Sequence, residues 1–300
     1  MVTRNTGAAV KAAYFAKGFV LLVFMIFSIS LCLYFMNLNW IEKYHVSDGD
    51  GESYLVRFPV GGLVCIISNS EKYNKYIEEA SSTINEFDRL FEINIGGIEV
   101  VNDYSGCGVA DLYFFLLEVM SDVQGSLVMS GLYSENQILT FESYEPAFTS
   151  ILYSESLKKV TRVVSIEMLY YDYNDINSNY FFSHFLVQEL FHAFSFGSDI
   201  VNKGSKKFKS ILEENVFLET YTVHSLVNSD ELSNEYSSKN SNRLCKLDYG
   251  SMAIIYSSKE EIRLYSIYSL RNFFRYFRYL IAYESNKHSG HYSRVISNGC

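Results

Sequence analysis

The hydrophobic pattern begins with one long apolar run, Gly18–Met36, which contains nineteen residues and no charged side chain. An α-helix of that length crosses the hydrocarbon core of a bilayer. A cleaved signal peptide is the alternative interpretation, but the run is longer than the apolar part of such peptides and no A-x-A-like cleavage site follows it. We therefore expect a transmembrane anchor over residues 18–36.

Charged residues flank this run unevenly. Three basic residues precede it: Arg4, Lys11 and Lys17. The first acidic residue of the chain is Glu42. Because positively charged flanks stay on the cytoplasmic side of a membrane, residues 1–17 are predicted to be cytoplasmic. The domain that follows, residues 40–300, is then predicted to lie in the periplasm or the extracellular space.

After the anchor, the pattern alternates between strand and helix periods. The segment "YLVRFPVGGLVCIIS" (54–68) predicts two short strands separated by a turn at "PVGG". Apolar residues from Tyr73 to Phe91 recur at steps of three and four, which predicts a helix that packs on a sheet. The segment "EINIGGIEVV" (92–101) predicts a bent strand, and the β-branched residues of Val160–Tyr170 predict another.

The second half of the chain has mainly helical patterns. A long aromatic helix is predicted around "HFLVQELFHAFSFGSD" (184–199), with Ser178 as its N-cap and Gly197 just beyond its end. Further helical patterns occupy three segments: Phe208–Phe217, Gly250–Tyr256 and Glu260–Tyr283. The polar stretch "NSDELSNEYSSKNSN" (228–242) is predicted to be a loop.

Composition limits the domain count and the class of partner. The chain has 300 residues, 48% of them apolar, and a formal net charge of −9. With no linker or repeat, this predicts one domain, and the acidic balance argues against a nucleic-acid partner.

Four cysteines follow the anchor segment: Cys65, Cys107, Cys245 and Cys300. An oxidising compartment could pair them in three ways, and the sequence does not choose among them.

Candidate chemistry lies on the aromatic helix, in the stretch Gln188-Glu189-Leu190-Phe191-His192. The zinc-peptidase motif H-E-x-x-H places two imidazoles one helical turn apart on a metal, and its Glu acts as general base on the metal-bound water. Here Glu189 is the predicted catalytic base. The predicted metal ligands are His192, Gln188 and Asp199.

This ligand set departs from a working zinc site. Gln188 replaces the first imidazole, and a neutral amide oxygen is a weak zinc ligand. His184 lies eight residues before His192, about 12 Å along a helix axis, too far to share one ion, so we expect it at the rim of the site. Zinc binding is therefore expected to be weak. For His192 itself, an ordinary partly buried histidine is the favoured interpretation.

These residues resemble an uncharacterised family of bacterial exported domains related to zincins, whose site helix carries a variable H-E-x-x-[HQ]-x-L-G-L-x-N-D core. The resemblance rests on "LVQELFHAFSFGSD" and extends to "KSILEEN" (209–215) and "CKLDYGSMAIIYSS" (245–258), where the family has a Ser-Ile motif and a Leu-Asp segment. The second segment is also similar to a Met-turn at Met252. The resemblance implies an α+β zincin-like domain, with a small mixed sheet, the site helix and C-terminal helices, behind one N-terminal transmembrane helix.

We therefore expect a membrane-anchored domain derived from metallopeptidases that recognises a protein or peptide in the former substrate cleft. Two alternatives stay open: an active zinc-dependent metallopeptidase with an unusual ligand set, and a structural envelope protein without a site.

Near the C-terminus, three arginines share one side of an aromatic helix: Arg271, Arg275 and Arg278. A solvent face is the favoured interpretation there, and contact with anionic lipid is the alternative.

Overall fold

The computed structural model describes residues 6–41, 46–47, 53–55, 57–118, 147–154, 159–195, 200–201, 211, 213–214, 223–239, 242–256 and 262–263, with the single positions 274, 277, 278, 281, 285, 295 and 296. Its helices are α1 Thr6–Ile41, α2 Asn74–Phe91, α3 Ile176–Ser195, α4 Val223–Val227, α5 Asp230–Lys239 and α6 Lys246–Tyr256. Its strands are β1 Val46–Ser47, β2 Ser53–Leu55, β3 Leu63–Ile67, β4 Gly97–Val101, β5 Leu112–Leu117, β6 Ala147–Ser154, β7 Lys159–Glu167, β8 Ile200–Val201, β9 Glu213–Glu214 and β10 Ile262–Arg263.

A five-stranded mixed sheet forms the centre of the domain, in the order β4-β3-β5-β7-β6. The first four strands run parallel, and β6 pairs antiparallel with β7 at the edge. The chain therefore has a mixed α/β architecture with one apolar N-terminal helix. The predicted strands in 54–68, 92–101 and 160–170 are confirmed as β2, β3, β4 and β7.

Hydrophobic side chains cover both faces of this sheet. Along β3, Val64 and Ile66 belong to the main core, which the sheet shares with α2, α3 and α6. Cys65 and Ile67 point to the other face and join a smaller cluster. All six residues of β5 are buried, as is typical of a central parallel strand. The larger core lies between the sheet and α3, the helix that carries the candidate chemistry.

Helix α2 confirms the predicted apolar periodicity. Its buried residues include Ile77, Ala80, Ile84 and Phe87, all on one stripe. The helix ends at Glu92, which has a left-handed backbone with φ 54. The Asp88 carboxylate then accepts hydrogen bonds from the next loop, at 2.6 Å from Asn94 N and 3.1 Å from Ile95 N. This loop leads directly into β4.

A disulfide joins Cys65 to Cys107, with 6.1 Å between their Cα atoms. It ties the central strand β3 to the loop before β5. Cys245 is also disulfide-bonded. Of the three pairings that the sequence left open, the structure therefore contains the one that joins the first two cysteines of the domain.

Two predictions for the second half were wrong. The stretch 228–242, predicted as a polar loop, contains α5, because Leu232, Ser233 and Tyr236 recur at helical spacing and give it a buried side. In Phe208–Phe217, predicted as helical, the described residues include the short strand β9, which pairs with β8. The predicted helix in Gly250–Tyr256 is confirmed as part of α6. The helix predicted over Glu260–Tyr283 is wrong at its start, where β10 pairs with β2, but the described positions 274, 277, 278 and 281 within it are helical.

Helix α1 contains the predicted anchor and extends beyond it at both ends, over 36 residues. Within the described residues, it is the single helix long and apolar enough to cross a membrane, over Tyr14–Cys32. Over Tyr14–Cys32, most of the large apolar side chains are exposed, including Phe15 and Leu21. Near the end of this stretch, Leu31 packs against the domain core and the helix contacts α6.

Candidate functional site

Helix α3 follows β7 through a short polar turn that two aspartates stabilise. The Asp172 carboxylate accepts a hydrogen bond from Asn174 N at 2.9 Å. The Asp175 carboxylate accepts one from Ser178 N at 2.7 Å, which makes Asp175 the N-cap. The prediction that Ser178 is the N-cap was wrong, because Ser178 already lies in the first turn. Gly197, the predicted residue beyond the C-terminal end, lies outside the described residues.

The second half of α3 is buried all round, from His184 to Ser195. The helix contacts β6 and β7 of the sheet and the helices α2, α4 and α6. Within this packing, Gln188, Glu189 and His192 expose 8%, 6% and 7% of their surfaces. The structure therefore brings these three predicted site residues together on one helix, with little of each open to solvent.

Thr149 contacts the predicted catalytic base. Its hydroxyl oxygen lies 2.7 Å from Glu189 Oε2 and 2.9 Å from the Glu189 carbonyl oxygen. Thr149 belongs to the edge strand β6, so this hydroxyl joins the site helix to the edge of the sheet. Sequence reasoning missed Thr149, because no pattern in "AFTSILYS" indicates which strand residue reaches the helix.

A zinc ion would need three or more protein ligands on this helix and its surroundings. Among the residues that the structure describes, no three His, Cys, Asp or Glu side chains are grouped as a metal site. Gln188 and His192 lie one turn apart, but together they supply only two ligands, an amide oxygen and an imidazole nitrogen. The third predicted ligand, Asp199, lies outside the described residues.

His184 is a core residue, so the prediction that it lies at the rim of the site was wrong. It is 4% exposed, and its Nε2 lies 2.9 Å from the Tyr236 hydroxyl on α5. Burial raises the pKa of Tyr236, so this hydroxyl keeps its proton, and the imidazole tautomer sets which of the two groups donates. The pair therefore joins α3 to α5.

The C-terminal end of α3 is held by Arg162, a β7 residue that sequence reasoning did not single out. Its Nε donates to Ala193 O at 2.7 Å, and its Nη2 donates to Arg57 O at 2.8 Å. The guanidinium also lies 5.2 Å from the centre of the Phe58 ring. Burial lowers the pKa of Arg162 to about 10, so it stays charged at neutral pH. A buried cation at the C-terminus of a helix complements the helix dipole.

Tyr256, the last residue of α6, completes this arrangement. Its hydroxyl donates to Phe194 O at 2.9 Å and accepts a hydrogen bond from Phe58 N at 3.1 Å. Burial raises the pKa of Tyr256 to about 12, although the nearby charge of Arg162 opposes the shift. The last turn of α3, directly after His192, is thus fixed from both β7 and α6.

The two outlying segments of the family resemblance meet at Asp248. The Asp248 carboxylate accepts from Ile211 N at 2.9 Å and from Cys245 N at 2.8 Å. The bond to Cys245 N satisfies the backbone amide that precedes the first residue of α6. Met252, in the next turn of α6, is fully buried in the main core. Both segments therefore contribute to the packing of α6.

No protein-family model, curated protein or solved structure matches this chain.

Proposed function

We propose that this chain is a membrane-anchored extracytoplasmic domain, related to zincins, in which the metal site has degenerated and which recognises a protein or peptide. The observation that carries the proposal is the environment of Glu189. Its carboxylate accepts a hydrogen bond from Thr149, and the same turn of helix supplies one imidazole, His192, where a zinc peptidase has two.

The architecture supports the zincin relationship. The resemblance implies a small mixed sheet, a site helix and C-terminal helices, and these elements occur here in that order. The site helix α3 directly follows the parallel strand β7 and packs on it. A working peptidase also needs a base that is free to take a proton from the attacking water. In this structure the Thr149 hydroxyl occupies one oxygen of the Glu189 carboxylate with a hydrogen bond, at 2.7 Å.

The edge strand β6 supports peptide recognition. Among the strands that the structure describes, it is the outermost at its end of the central sheet, and its Thr149 contacts Glu189 on α3. An extended peptide can add to such an edge through main-chain hydrogen bonds. A peptide on β6 would lie next to Thr149, the strand residue that contacts the site helix at Glu189.

The cysteine chemistry and α1 support the location. Disulfides persist in the periplasm and outside the cell, and the Cys65–Cys107 bond lies on the C-terminal side of α1. The three basic residues of the N-terminus favour the cytoplasmic side for that end. Both observations support the proposed position of the domain on the exported side of the membrane.

Restoration of the missing ligand tests the proposal. Gln188→His recreates an i, i+4 imidazole pair with His192, so the full-length protein should gain affinity for zinc. Ser183→His on the same helix is the matched control, because it adds an imidazole that is not one turn from His192. A wild type that binds zinc as tightly as Gln188→His would contradict a degenerate site and favour the active metallopeptidase.

A further inference from the structure

The segment after β10 differs in charge from the rest of the chain. Residues 264–283 contain three arginines and no acidic residue, whereas the whole chain has a net charge of −9. The same twenty residues contain eight aromatic side chains. Within 264–285, the structure describes five positions, and all five are helical: Phe274, Phe277, Arg278, Ile281 and Ser285.

Three of these residues form one exposed face. Phe274, Arg278 and Ile281 are spaced i, i+4 and i+7, which places them on the same side of a helix. Phe274 and Ile281 expose 55% and 58% of their surfaces, and Arg278 between them is exposed as well. Below, this set of three is called the 274–281 face.

The two apolar side chains of the 274–281 face favour an environment other than water. The transfer of a large apolar side chain out of water is favourable, and this face carries two of them close together. An ordinary solvent-exposed face would carry polar residues at these positions. A lipid headgroup region suits the composition, because aromatic and aliphatic side chains enter it while arginine reaches anionic headgroups.

The rest of the structure keeps the domain near a bilayer. Leu31, at the end of the apolar stretch of α1, packs against the domain core, and α1 contacts α6. The domain core therefore lies directly beside the C-terminal end of the apolar stretch of α1. A weak lipid contact becomes effective under such conditions, because the surface is always close.

We propose that the 274–281 face is a second membrane contact, in which Phe274 and Ile281 enter the headgroup region and Arg278 binds anionic lipid. This inference rests on the proposed anchoring of the chain by α1. It adds that the domain has a fixed face toward the membrane. The candidate site on α3 would then be held at one orientation above the lipid surface.

Site-specific fluorescence tests the contact in the full-length protein reconstituted in nanodiscs. A single cysteine, added in a Cys32→Ser background, carries an environment-sensitive dye at one of three positions. Ile281 reports the proposed contact, Leu22 reports the span, and Ile176, 83% exposed at the start of α3, is the control. Spin-labelled lipid then shows which dyes touch the bilayer.

We expect lipid quenching at positions 22 and 281 but not at 176. The dye at 281 should shift to the blue when phosphatidylglycerol is added to phosphatidylcholine, and Arg278→Gln should abolish that response. Quenching at 22 without quenching at 281 would overturn the contact and leave the anchor intact. A blue-shifted dye at 281 that spin-labelled lipid does not quench would indicate a protein partner and would also overturn it. Absence of lipid quenching at position 22 would overturn the proposed anchor itself.

Discussion

At the scale of single residues, the end of the site helix depends on a few buried hydrogen bonds. Tyr256 is the clearest case, since its hydroxyl serves both Phe194 O and Phe58 N. Tyr256→Phe removes both bonds and leaves a buried carbonyl and a buried amide without that partner. We expect a loss of about 1–3 kcal/mol in the free energy of unfolding.

Urea denaturation measures this loss, with Tyr170→Phe as the control. Tyr170 has an exposed ring, so removal of its hydroxyl should change the stability by less than about 0.5 kcal/mol. Equal effects of the two substitutions would contradict the role of Tyr256. Sequence reasoning could not find this contact, because Tyr256 is one of 25 tyrosines and lies 62 residues from its acceptor.

The buried tyrosines also predict how stability depends on pH. Burial raises the pKa of Tyr76, Tyr171 and Tyr236, and it raises the pKa of Tyr256 to about 12. The folded pKa values therefore lie above the unfolded value of about 10. The stability that these hydroxyls contribute is complete below pH ~10 and is lost as the pH rises through the folded values.

Arg162 acts with the opposite sign, because burial lowers its pKa to about 10 and its buried charge costs stability below that pH. Because four tyrosines lose stability at high pH and one arginine gains it, we expect the protein as a whole to become less stable as the pH rises. We expect the exposed tyrosines to ionise near pH ~10 with the fold intact, and the remaining tyrosinate absorbance to appear together with unfolding by circular dichroism at higher pH. Complete ionisation of the tyrosines near their ordinary pKa, with the fold intact, would show that these hydroxyls are not buried.

At the scale of elements, short-range patterns predicted most of what proved correct. The stripe of α2 and the β-branched run of β7 are local signals, and both elements formed as predicted. Two elements were not predicted from the sequence. Helix α5 was hidden by its polar composition, since one buried side suffices to hold it against the domain. Strand β6 lies in "AFTSILYS", where the pairing with β7 decides the structure.

The start of α3 provides a direct test of a corrected prediction. Asp175→Ala removes the carboxylate that caps Ser178 N, and it should cost about 0.5–2 kcal/mol. Ser178→Ala, at the residue that the sequence indicated, should cost less than about 0.5 kcal/mol, because the Ser178 hydroxyl has no hydrogen-bond partner in the structure. Thermal or urea denaturation of both variants compares them. A larger loss from Ser178→Ala would restore the sequence-based assignment.

At the scale of the whole molecule, the Cys65–Cys107 bond closes a loop with a sequence separation of 42. In the chain-entropy model, a loop of that size contributes about 4 kcal/mol. The double variant Cys65→Ala, Cys107→Ala should therefore lose several kcal/mol in the free energy of unfolding, while Cys32→Ala should not. Equal stability of wild type and double variant would show that this bond does not form in the native protein.

Membrane topology is the second prediction at this scale. A reporter fused after Cys300 should be active only outside the cytoplasm, since the basic residues stay inside. The protein should also remain with the membrane after export. Cytoplasmic reporter activity would reverse the orientation, and release of a shortened, soluble chain would show that α1 is a cleaved signal peptide.

The central claim is that the site on α3 has lost its metal, and the zinc content of the full-length protein tests it most directly. The measurement is made after export and purification in detergent without chelator. The account predicts substoichiometric zinc in the wild type and a gain with Gln188→His, because one imidazole and one amide make a weak zinc site. Stoichiometric zinc in the wild type, lost on His192→Ala, would contradict it.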